Sequence, residues 1–232
     1  NKVLDINPKN FKEKDRNHYI HSKGHSVEAL YTVLCDQGFF SRKDLEKLNH
    51  FNSHFIGHPT RKILGIEHNT GALGHGLSVA VGLALSKKID QKTNKVFSLL
   101  GDGELSEGSV WEACTTASKY QLDNLIVIID RNDLQITGKT EEVNPIEPID
   151  KKFEAFGFET ISTNGNNISD LLNVFKEIPV QKNKPTVIIA KTTKGSGVSF
   201  IENQINWHHK VPSEDEYGRA ISELNEKLNS YE

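Results

Sequence analysis

The sequence predicts a single α/β domain, a parallel β-sheet flanked by helices, that occupies all 232 residues. Three short apolar runs have the continuous hydrophobicity of strands that are buried on both faces; they span 96–100, 125–129 and 187–190. Helical patterns lie between these runs, and strands that alternate with helices indicate a parallel sheet with helices on both faces. A weaker strand is predicted at 158–162.

The predicted helices differ in how much apolar surface they carry. The segments 26–35 and 106–120 each have an apolar stripe on one face. The segment 76–87 is small and apolar nearly all round, so we expect it to be buried on all sides, in a core or at a subunit interface. Ser41 is predicted to cap a further helix, with Asp44 three residues on as an imperfect capping box. Two more helices are predicted over 168–178 and 214–228.

Composition narrows the classes of function. The net charge of −3 gives no electrostatic reason to expect nucleic acid or an anionic membrane as a partner. No apolar stretch reaches the roughly 18 residues that span a bilayer, and the first residues have no signal-peptide pattern. Cys35 and Cys114 lie in apolar helical patterns and are expected to be buried free thiols, which fits a cytoplasmic protein. Because the chain contains no methionine, we expect it to start downstream of its start codon.

Two long segments lack any periodicity. The first, 53–76, contains four histidines: His54, His58, His68 and His75. The second, 194–212, contains Trp207-His208-His209 near its end. Structureless connections longer than about 12–15 residues are usually functional or disordered, and the aromatic and histidine content favours ordered, functional loops. A zinc site in the first segment is an alternative, but the spacings match no common zinc pattern and no cysteine lies nearby.

The strongest local feature is Gly101-Asp102-Gly103, between a buried strand and the helix predicted to start near Ser106. Glycines on either side of the aspartate let the backbone approach a ligand closely, and the start of a helix attracts an anion. In isolation, a Gly-Asp-Gly segment is more often a tight turn with a capping acid.

Asn132 makes a metal site the stronger interpretation. It lies just past the end of the next strand, and neighbouring parallel strands would bring it to the same edge of the sheet as Asp102. Magnesium prefers hard oxygen ligands, few of them from protein when phosphate and water supply the rest. One carboxylate, one amide oxygen and one backbone carbonyl would serve an ion bound to a diphosphate.

These residues resemble the thiamine-diphosphate signature, and their surroundings resemble transketolases, in particular the N-terminal subunit of two-chain members. The matching segments follow the family order over nearly the whole chain: 22–25, 57–59, 70–76, 100–108, 130–138, 185–199 and Trp207-His208. The resemblance implies the thiamine-diphosphate-binding, pyrophosphate-type fold. It also implies transfer of a two-carbon ketol unit from a ketose to an aldose, with thiamine diphosphate and Mg²⁺ (or Ca²⁺) as cofactors.

The resemblance also implies residue roles. The implied metal ligands are Asp102, Asn132 and the carbonyl of Leu134. The implied cofactor contacts also include His25 and Gly103 at the diphosphate, Gly71 and Leu73 at the aminopyrimidine ring, and His208. His25 could instead merely cap a helix.

Four residues are implied to act in catalysis: His58, His208, Glu107 and Glu112. The two histidines resemble residues near the donor sugar and the diphosphate, and a near-neutral pKa would suit them to proton movement. The two glutamates resemble interface residues that help link two active sites. The alternative is that these residues have no catalytic role: His58 would be an ordinary turn residue, and the two glutamates would be solvent-exposed acids on a helix.

Some family parts are missing from this chain. Members usually carry an upstream helix with a Gly-His-Pro-Gly segment, and a second domain whose glutamate protonates the cofactor's pyrimidine. We therefore expect the N-terminal segment of the family to be missing and no pyrimidine-type or C-terminal domain to be present. The expected partner is a C-terminal transketolase subunit, in an α₂β₂ heterotetramer that acts on sugars or sugar phosphates.

Asn49 departs from the family pattern. The family often has an arginine nine residues before the histidine of the His-Pro pair, and here that position is Asn49. Asparagine cannot make the charge-assisted, bidentate pair that arginine makes with phosphate, so we expect an acceptor that is not held by its phosphate in the usual way. The alternative is that Arg61, Lys62 or the partner supplies the positive charge that binds the acceptor's phosphate.

Three other functions stay open. A related thiamine enzyme, such as a deoxyxylulose-phosphate synthase type, would share the metal motif. A magnesium phosphatase with a Gly-Asp-Gly-x-x-Asp motif would need an aspartate where Ser106 stands. A non-catalytic cofactor-binding subunit is the third. The roles of His54, His68, His75 and His209 are unassigned, as are the donor and acceptor sugars.

Overall fold

A computed structural model describes residues 3–229. The strands are β1 (His18–His21), β2 (Val96–Gly101), β3 (Leu125–Arg131), β4 (Leu134–Gln135), β5 (Gly138–Lys139), β6 (Glu159–Asn164) and β7 (Thr186–Lys191). Five of them form one parallel sheet in the order β1-β2-β3-β7-β6, and β4 and β5 form a separate antiparallel hairpin. The predicted α/β class and all four predicted strands are confirmed.

Helices cover both faces of the sheet. They are α1 (Val27–Asp36), α2 (Arg42–Leu45), α3 (His75–Ile89), α4 (Gly108–Lys119), α5 (Thr140–Val143), α6 (Ile149–Ala155), α7 (Ile168–Lys176) and α8 (Glu214–Asn229). No pattern in the sequence predicts β1, β4, β5, α5 or α6, because each is too short, or too polar, to show a periodicity. None of the helices within residues 3–229 combines the length and the hydrophobicity that a membrane span requires.

The register of the central strands determines where the site forms. Gly101 at the end of β2 pairs with Asp130 of β3, and Arg131 at the end of β3 pairs with Lys191 at the end of β7. The carboxyl ends of three neighbouring strands therefore lie level with one another. The residues that follow these strands emerge at one edge, where ligands bind in open α/β sheets.

The central strands are buried on both faces, which explains their unbroken apolar sequence. One core cluster packs residues of α3 and α4 against the sheet and includes Leu77, Leu100 and Val110, each fully buried. A second cluster lies on the opposite face, where Phe97 and Ile188 meet side chains of α7. Burial on both faces holds the strand ends in a fixed position beneath the site.

Helix α3 is buried on one side only, so the expectation of burial on all sides is wrong within this chain. Leu77, Ala80 and Ala84 are inaccessible, whereas Gly82 and Ile89 are exposed. The sheet and α4 together cover only part of the helix surface. The alternative that the open face lies at a subunit interface stays a prediction.

The predicted capping box and the predicted buried thiols differ in outcome. The capping box is confirmed, with the Ser41 backbone N–H donating to the Asp44 carboxylate over 3.1 Å. Both cysteines are free thiols, but only Cys114 is buried, and Cys35 is half-buried on α1.

Helix α4 starts two residues later than predicted. A short 3₁₀ turn, Gly103–Ser106, follows the strand, and Glu107 then takes an extended conformation before the α-helix begins at Gly108. The Asp102 carboxylate accepts a hydrogen bond over 2.8 Å from the N–H of Gly103, the first residue of this 3₁₀ turn, and not from the first turn of α4.

Two glycines in α3 provide a matched test of the packing. A Cβ on Gly76 would lie 2.8 Å from the Cα of Ser22, whereas a Cβ on Gly82 would meet no atom of the described chain within 4 Å. We expect Gly76→Ala to lower the free energy of unfolding by about 1–3 kcal/mol through overpacking. Gly82→Ala should raise it by about 0.5–1 kcal/mol, because alanine has the higher helix propensity. Urea denaturation measures both, and equal effects of the two substitutions would contradict the packing described here.

Candidate functional site

A cavity of about 480 Å³ lies at the carboxyl edge of the sheet. Its walls come from separate segments of the chain, and they include every predicted metal, cofactor and active-site histidine position: His25, His58, Gly71, Leu73, Asp102, Gly103, Asn132, Leu134 and His208. The fold therefore brings these residues together. Whether each performs its predicted role stays a prediction.

Asp102 and Asn132 form the floor of the cavity. Asp102 is 2% exposed, and its Oδ2 accepts hydrogen bonds from the Asn132 N–H over 3.2 Å and the Asp133 N–H over 2.8 Å. The Asn132 Oδ1 accepts from the Leu134 N–H over 3.2 Å. These bonds hold two side-chain oxygens and one loop backbone in a fixed arrangement.

Glu104 is a second buried acid, which the sequence analysis did not single out. Its carboxylate accepts hydrogen bonds from the Ser22 hydroxyl, from the Gly74 N–H over 2.8 Å and from the Gly101 N–H over 3.1 Å. Burial raises the pKa of Glu104, and the hydrogen bonds oppose that shift. One carboxylate thereby ties together three segments that line the cavity.

The cavity also contains two lysines. Lys23 makes a largely buried ion pair with Asp130, which also accepts a hydrogen bond from the Thr192 hydroxyl. Burial lowers the pKa of Lys194, and the nearby positive charge of Lys23 lowers it further. A site with two cationic side chains in its wall favours an anionic ligand.

His25 and His208 stack on each other with their ring centroids 5.4 Å apart. Burial lowers the pKa of both rings to about 4, and Lys23 and Lys194 add to the effect at His25 and His208 respectively. This differs from the near-neutral pKa expected for His208 from the sequence, because the sequence does not reveal how far a ring is removed from water. Near pH 7 both rings are neutral, and each can donate one hydrogen bond and accept one.

His58 also lines the cavity and lies against Gly71. A Cβ on Gly71 would lie 3.0 Å from the His58 ring, and the φ angle of +153° at Gly71 is one that other residues rarely adopt. Glycine therefore lets the ring lie against the backbone at this point.

The cavity fits the predicted cofactor. In the part of the chain that the structure describes, Gln135 Nε2 and His208 Nδ1 are buried polar atoms without a hydrogen-bond partner. Such atoms are rare in native proteins, so they indicate where polar groups of a ligand would bind. Within residues 3–229 no three His, Cys, Asp or Glu side chains could hold a metal by themselves. An ion held by Asp102 and Asn132 would therefore need phosphate and backbone oxygens, as a magnesium diphosphate provides.

Residues 1–227 match the family described as the thiamine-diphosphate-binding domain of transketolase. The chain belongs to the transketolase family. The predicted N-terminal, cofactor-binding part of a transketolase is thus confirmed at the level of the family.

The chain resembles proteins named as transketolase subunits along most of their length. It is 45% identical to a subunit of the apulose-4-phosphate transketolase of Phocaeicola vulgatus over 230 residues, which cover 99% of this chain and 82% of that protein. It is 36% identical to the 6-deoxy-6-sulfo-D-fructose transketolase subunit SqwG of a Clostridium species, over 96% of this chain and 82% of that protein.

Against longer transketolases, the chain covers about a third of their length. It shares 34% identity with the crystal structure of Campylobacter jejuni transketolase, with a TM-score of 0.89 over 96% of this chain and 36% of that one. The human transketolase match, at 36% identity, spans 98% of this chain and 37% of that protein.

Two predicted site residues of this transketolase domain lie outside the cavity. Glu107 and Glu112 are exposed, before and within α4, and neither lines the cavity wall. A role for them at an interface between subunits stays a prediction. Of the unassigned histidines, only His209 lines the cavity.

Several cavity residues were not proposed as site residues from the sequence. They are Lys23, Gly101, Glu104, Gln135, Ile136, Thr137 and Lys194. Most lie next to a quoted motif, so proximity to Gly101-Asp102-Gly103 or Asn132 was the available signal. No pattern in the sequence shows that Glu104 turns inward while the exposed Glu107 turns to solvent.

Beneath the cavity, a chain of hydrogen bonds fixes the segment that carries Lys23 and His25. Ser26 Oγ donates to the Lys23 carbonyl over 3.1 Å and lies 2.9 Å from His21 Nε2. Since Ser26 has one proton to donate, His21 Nε2 must be the donor and Nδ1 must accept from the Tyr19 hydroxyl, 2.8 Å away. Burial lowers the pKa of His21 to about 4, so the ring is neutral in the folded chain.

We expect this buried histidine to weaken the fold in acid. Between about pH 6.5 and pH 4 the unfolded chain binds a proton at His21 that the folded chain excludes, so the free energy of unfolding falls as the pH falls through this window. His21→Gln should reduce the loss of stability between pH 7 and pH 5. Urea denaturation at the two pH values measures it, and equal losses in wild type and variant would show that His21 does not contribute.

Proposed function

We propose that this chain is the cofactor-binding subunit of a two-chain transketolase. With its partner it would transfer a two-carbon ketol unit from a ketose to an aldose, using thiamine diphosphate and Mg²⁺. The observation that carries the proposal is that one cavity contains every predicted metal, cofactor and active-site histidine position. The similarity to proteins named as transketolase subunits, over 82% of their length, supports the two-chain form.

Each wall of the cavity has a proposed part in binding. Asp102, Asn132 and the Leu134 carbonyl would hold Mg²⁺ (or Ca²⁺), and the ion would offset the charge of the diphosphate. Gly103 and His25 would contact the diphosphate, and the backbone of Gly71 and Leu73 would contact the aminopyrimidine ring. Thiamine diphosphate, when bound, supplies the carbon centre that carries the two-carbon unit between the sugars.

The histidines would bind and orient the sugars. His58 and His208 would each hydrogen-bond a hydroxyl of the donor sugar from the wall of the cavity. Because His208 is neutral near pH 7, it can accept a proton from a hydroxyl without first losing one.

The partner is proposed to be a C-terminal transketolase subunit, in an α₂β₂ heterotetramer. It would supply the glutamate that acts on the cofactor's pyrimidine and would close the open side of the cavity. The exposed face of α3, with Gly82 and Ile89, and the exposed Glu107 and Glu112 would lie at contacts between subunits. The assembly would be cytoplasmic.

Activity should require the partner. The purified chain alone is expected to show no ketol transfer, and it should gain activity when co-expressed with the product of a neighbouring gene of the C-terminal type. The panel of ketose donors would include apulose 4-phosphate and 6-deoxy-6-sulfo-D-fructose, since similar subunits are named for these sugars, and the acceptors would be common aldopentose and aldotetrose phosphates. Full turnover by the chain alone would refute the proposal. Full turnover by the partner alone would indicate a non-catalytic subunit, and formation of a deoxyxylulose phosphate would indicate the related synthase.

Substitution of the metal ligand Asp102 should affect cofactor binding, whereas substitution of His58 or His208 should mainly affect turnover. In the assembled enzyme, Asp102→Ala should abolish thiamine diphosphate binding, because the diphosphate loses its bridging ion. His58→Ala and His208→Ala should retain more of the affinity but lose about 10²–10⁴-fold in kcat, the usual contribution of acid–base groups. Calorimetry and steady-state kinetics measure these effects, with exposed Asp15→Ala as the control. Wild-type cofactor affinity in Asp102→Ala, or wild-type kcat and KM in either histidine variant, would reject that residue's role.

Asn49 should limit the use of a phosphorylated acceptor. It is exposed and has a φ angle of +57°, which asparagine tolerates better than most residues, so any longer side chain here carries some backbone strain. Asn49→Gln therefore serves as the uncharged control for Asn49→Arg. We expect Asn49→Arg to raise kcat/KM for a phosphosugar at least about tenfold over Asn49→Gln, the size of one charged hydrogen bond. Equal kcat/KM in both variants, together with efficient phosphosugar use by the wild type, would reject the inference.

A further inference from the structure

Arg131 is a buried arginine that contacts four carboxylates at the edge of the cavity. Its side chain is 7% exposed. Nη1 lies 3.0 Å from Asp102 and 2.9 Å from Asp133, Nη2 lies 3.2 Å from Glu141, and Nε lies 3.0 Å from Glu147. Every nitrogen of the guanidinium group is therefore used, which only the forked geometry of arginine allows.

The contact with Asp102 distinguishes the two oxygens of that carboxylate. Oδ2 is surrounded by donors: Arg131 Nη1, the N–H groups of Asn132 and Asp133, and the Thr140 hydroxyl at 3.4 Å. Oδ1 accepts only from the neighbouring Gly103 N–H among the described residues. A carboxylate held in this way offers one oxygen, Oδ1, to a metal ion.

The other contacts of Arg131 anchor the chain that follows Asn132. Glu141 lies in the first turn of α5 and also accepts from the Ile146 N–H over 3.2 Å. Glu147 also accepts from the Ile149 N–H over 2.9 Å, at the start of α6. Arg131 thus joins the end of β3 to both helices that follow the metal loop.

We propose that Arg131 is a positioning residue for the metal ion: it holds Asp102 by Oδ2, so that the carboxylate binds the ion through Oδ1 alone. The inference rests on the proposed function, since it concerns the same metal. Arg131 is positively charged, like the ion, so it would not bind the ion itself. It would act on the ion through Asp102 and through the loop that follows Asn132.

Charge and position predict opposite results when Arg131 is removed. If only charge mattered, loss of a cation beside a divalent ion would tighten metal binding. If position matters, the released carboxylate would bind the ion more weakly. Groups that orient metal ligands typically contribute 10–100-fold to metal affinity.

The test measures the Kd for Mg²⁺ by calorimetry at saturating thiamine diphosphate, in the chain assembled with its partner subunit. We expect Arg131→Met to weaken Mg²⁺ binding about 10–100-fold. Arg131→Lys keeps the charge but not the fork, and we expect it to weaken binding by about tenfold. The matched control is Arg16→Met, which removes another arginine that is 7% exposed and paired with a carboxylate, Glu67, away from the cavity. It should lower the melting temperature and leave the Kd for Mg²⁺ unchanged.

Each outcome bears on the inference. Unchanged or tighter Mg²⁺ binding in Arg131→Lys, or in Arg131→Met, overturns it. If Arg131→Met does not fold, Arg131→Lys and Glu147→Gln test the inference instead. Glu147→Gln should weaken Mg²⁺ binding several-fold, because it removes a charged partner that holds the Arg131 guanidinium in place. A wild-type enzyme that binds thiamine diphosphate without Mg²⁺ would instead refute the proposed function, independently of the variants.

Discussion

The parallel pairing of β2 with β3 is the constraint on which the site depends. Gly101 lies opposite Asp130, so the chain leaves both strands at the same level and Asp102 meets the backbone of Asn132 and Asp133. A shift of the pairing by one residue would turn every side chain of the shifted strand to the other face of the sheet. Burial of both faces of these strands prevents that shift, and the hydrophobic core thereby sets the geometry of the polar edge.

The two buried acids beside the strand end serve different purposes. Asp102 is held by one oxygen and leaves the other at the cavity, whereas Glu104 uses its carboxylate to accept from Ser22, Gly74 and Gly101. A buried carboxylate is costly unless it is fully hydrogen-bonded. Glu104 meets that condition inside the protein, and it thereby fixes loops that would contact the cofactor.

The charges around the cavity suit an anion that brings its own metal ion. Lys23 is paired with Asp130, and burial lowers the pKa values of Lys194, His25 and His208. Removal from water disfavours the charged form of a cationic group, so it lowers the pKa of Lys194 and leaves both histidine rings neutral near pH 7. A diphosphate beside them would favour their charged forms again, so cofactor binding and protonation are expected to be coupled in this site.

The sequence by itself determined the fold class, the strand-end position of Asp102 and Asn132, and the family. Buried strands carry an unbroken apolar pattern, and short motifs keep their order along the chain. Tertiary structure alone decided that Glu104 faces inward, that Glu107 and Glu112 stay outside the cavity, and that His208 loses its near-neutral pKa. A periodic pattern in the sequence reflects the environment of residues within one helix or strand. Burial and strand pairing, in contrast, bring together segments that are distant in the sequence. Ser22 and Glu104 are 82 residues apart and in hydrogen-bond contact, and no local pattern encodes a contact of that kind.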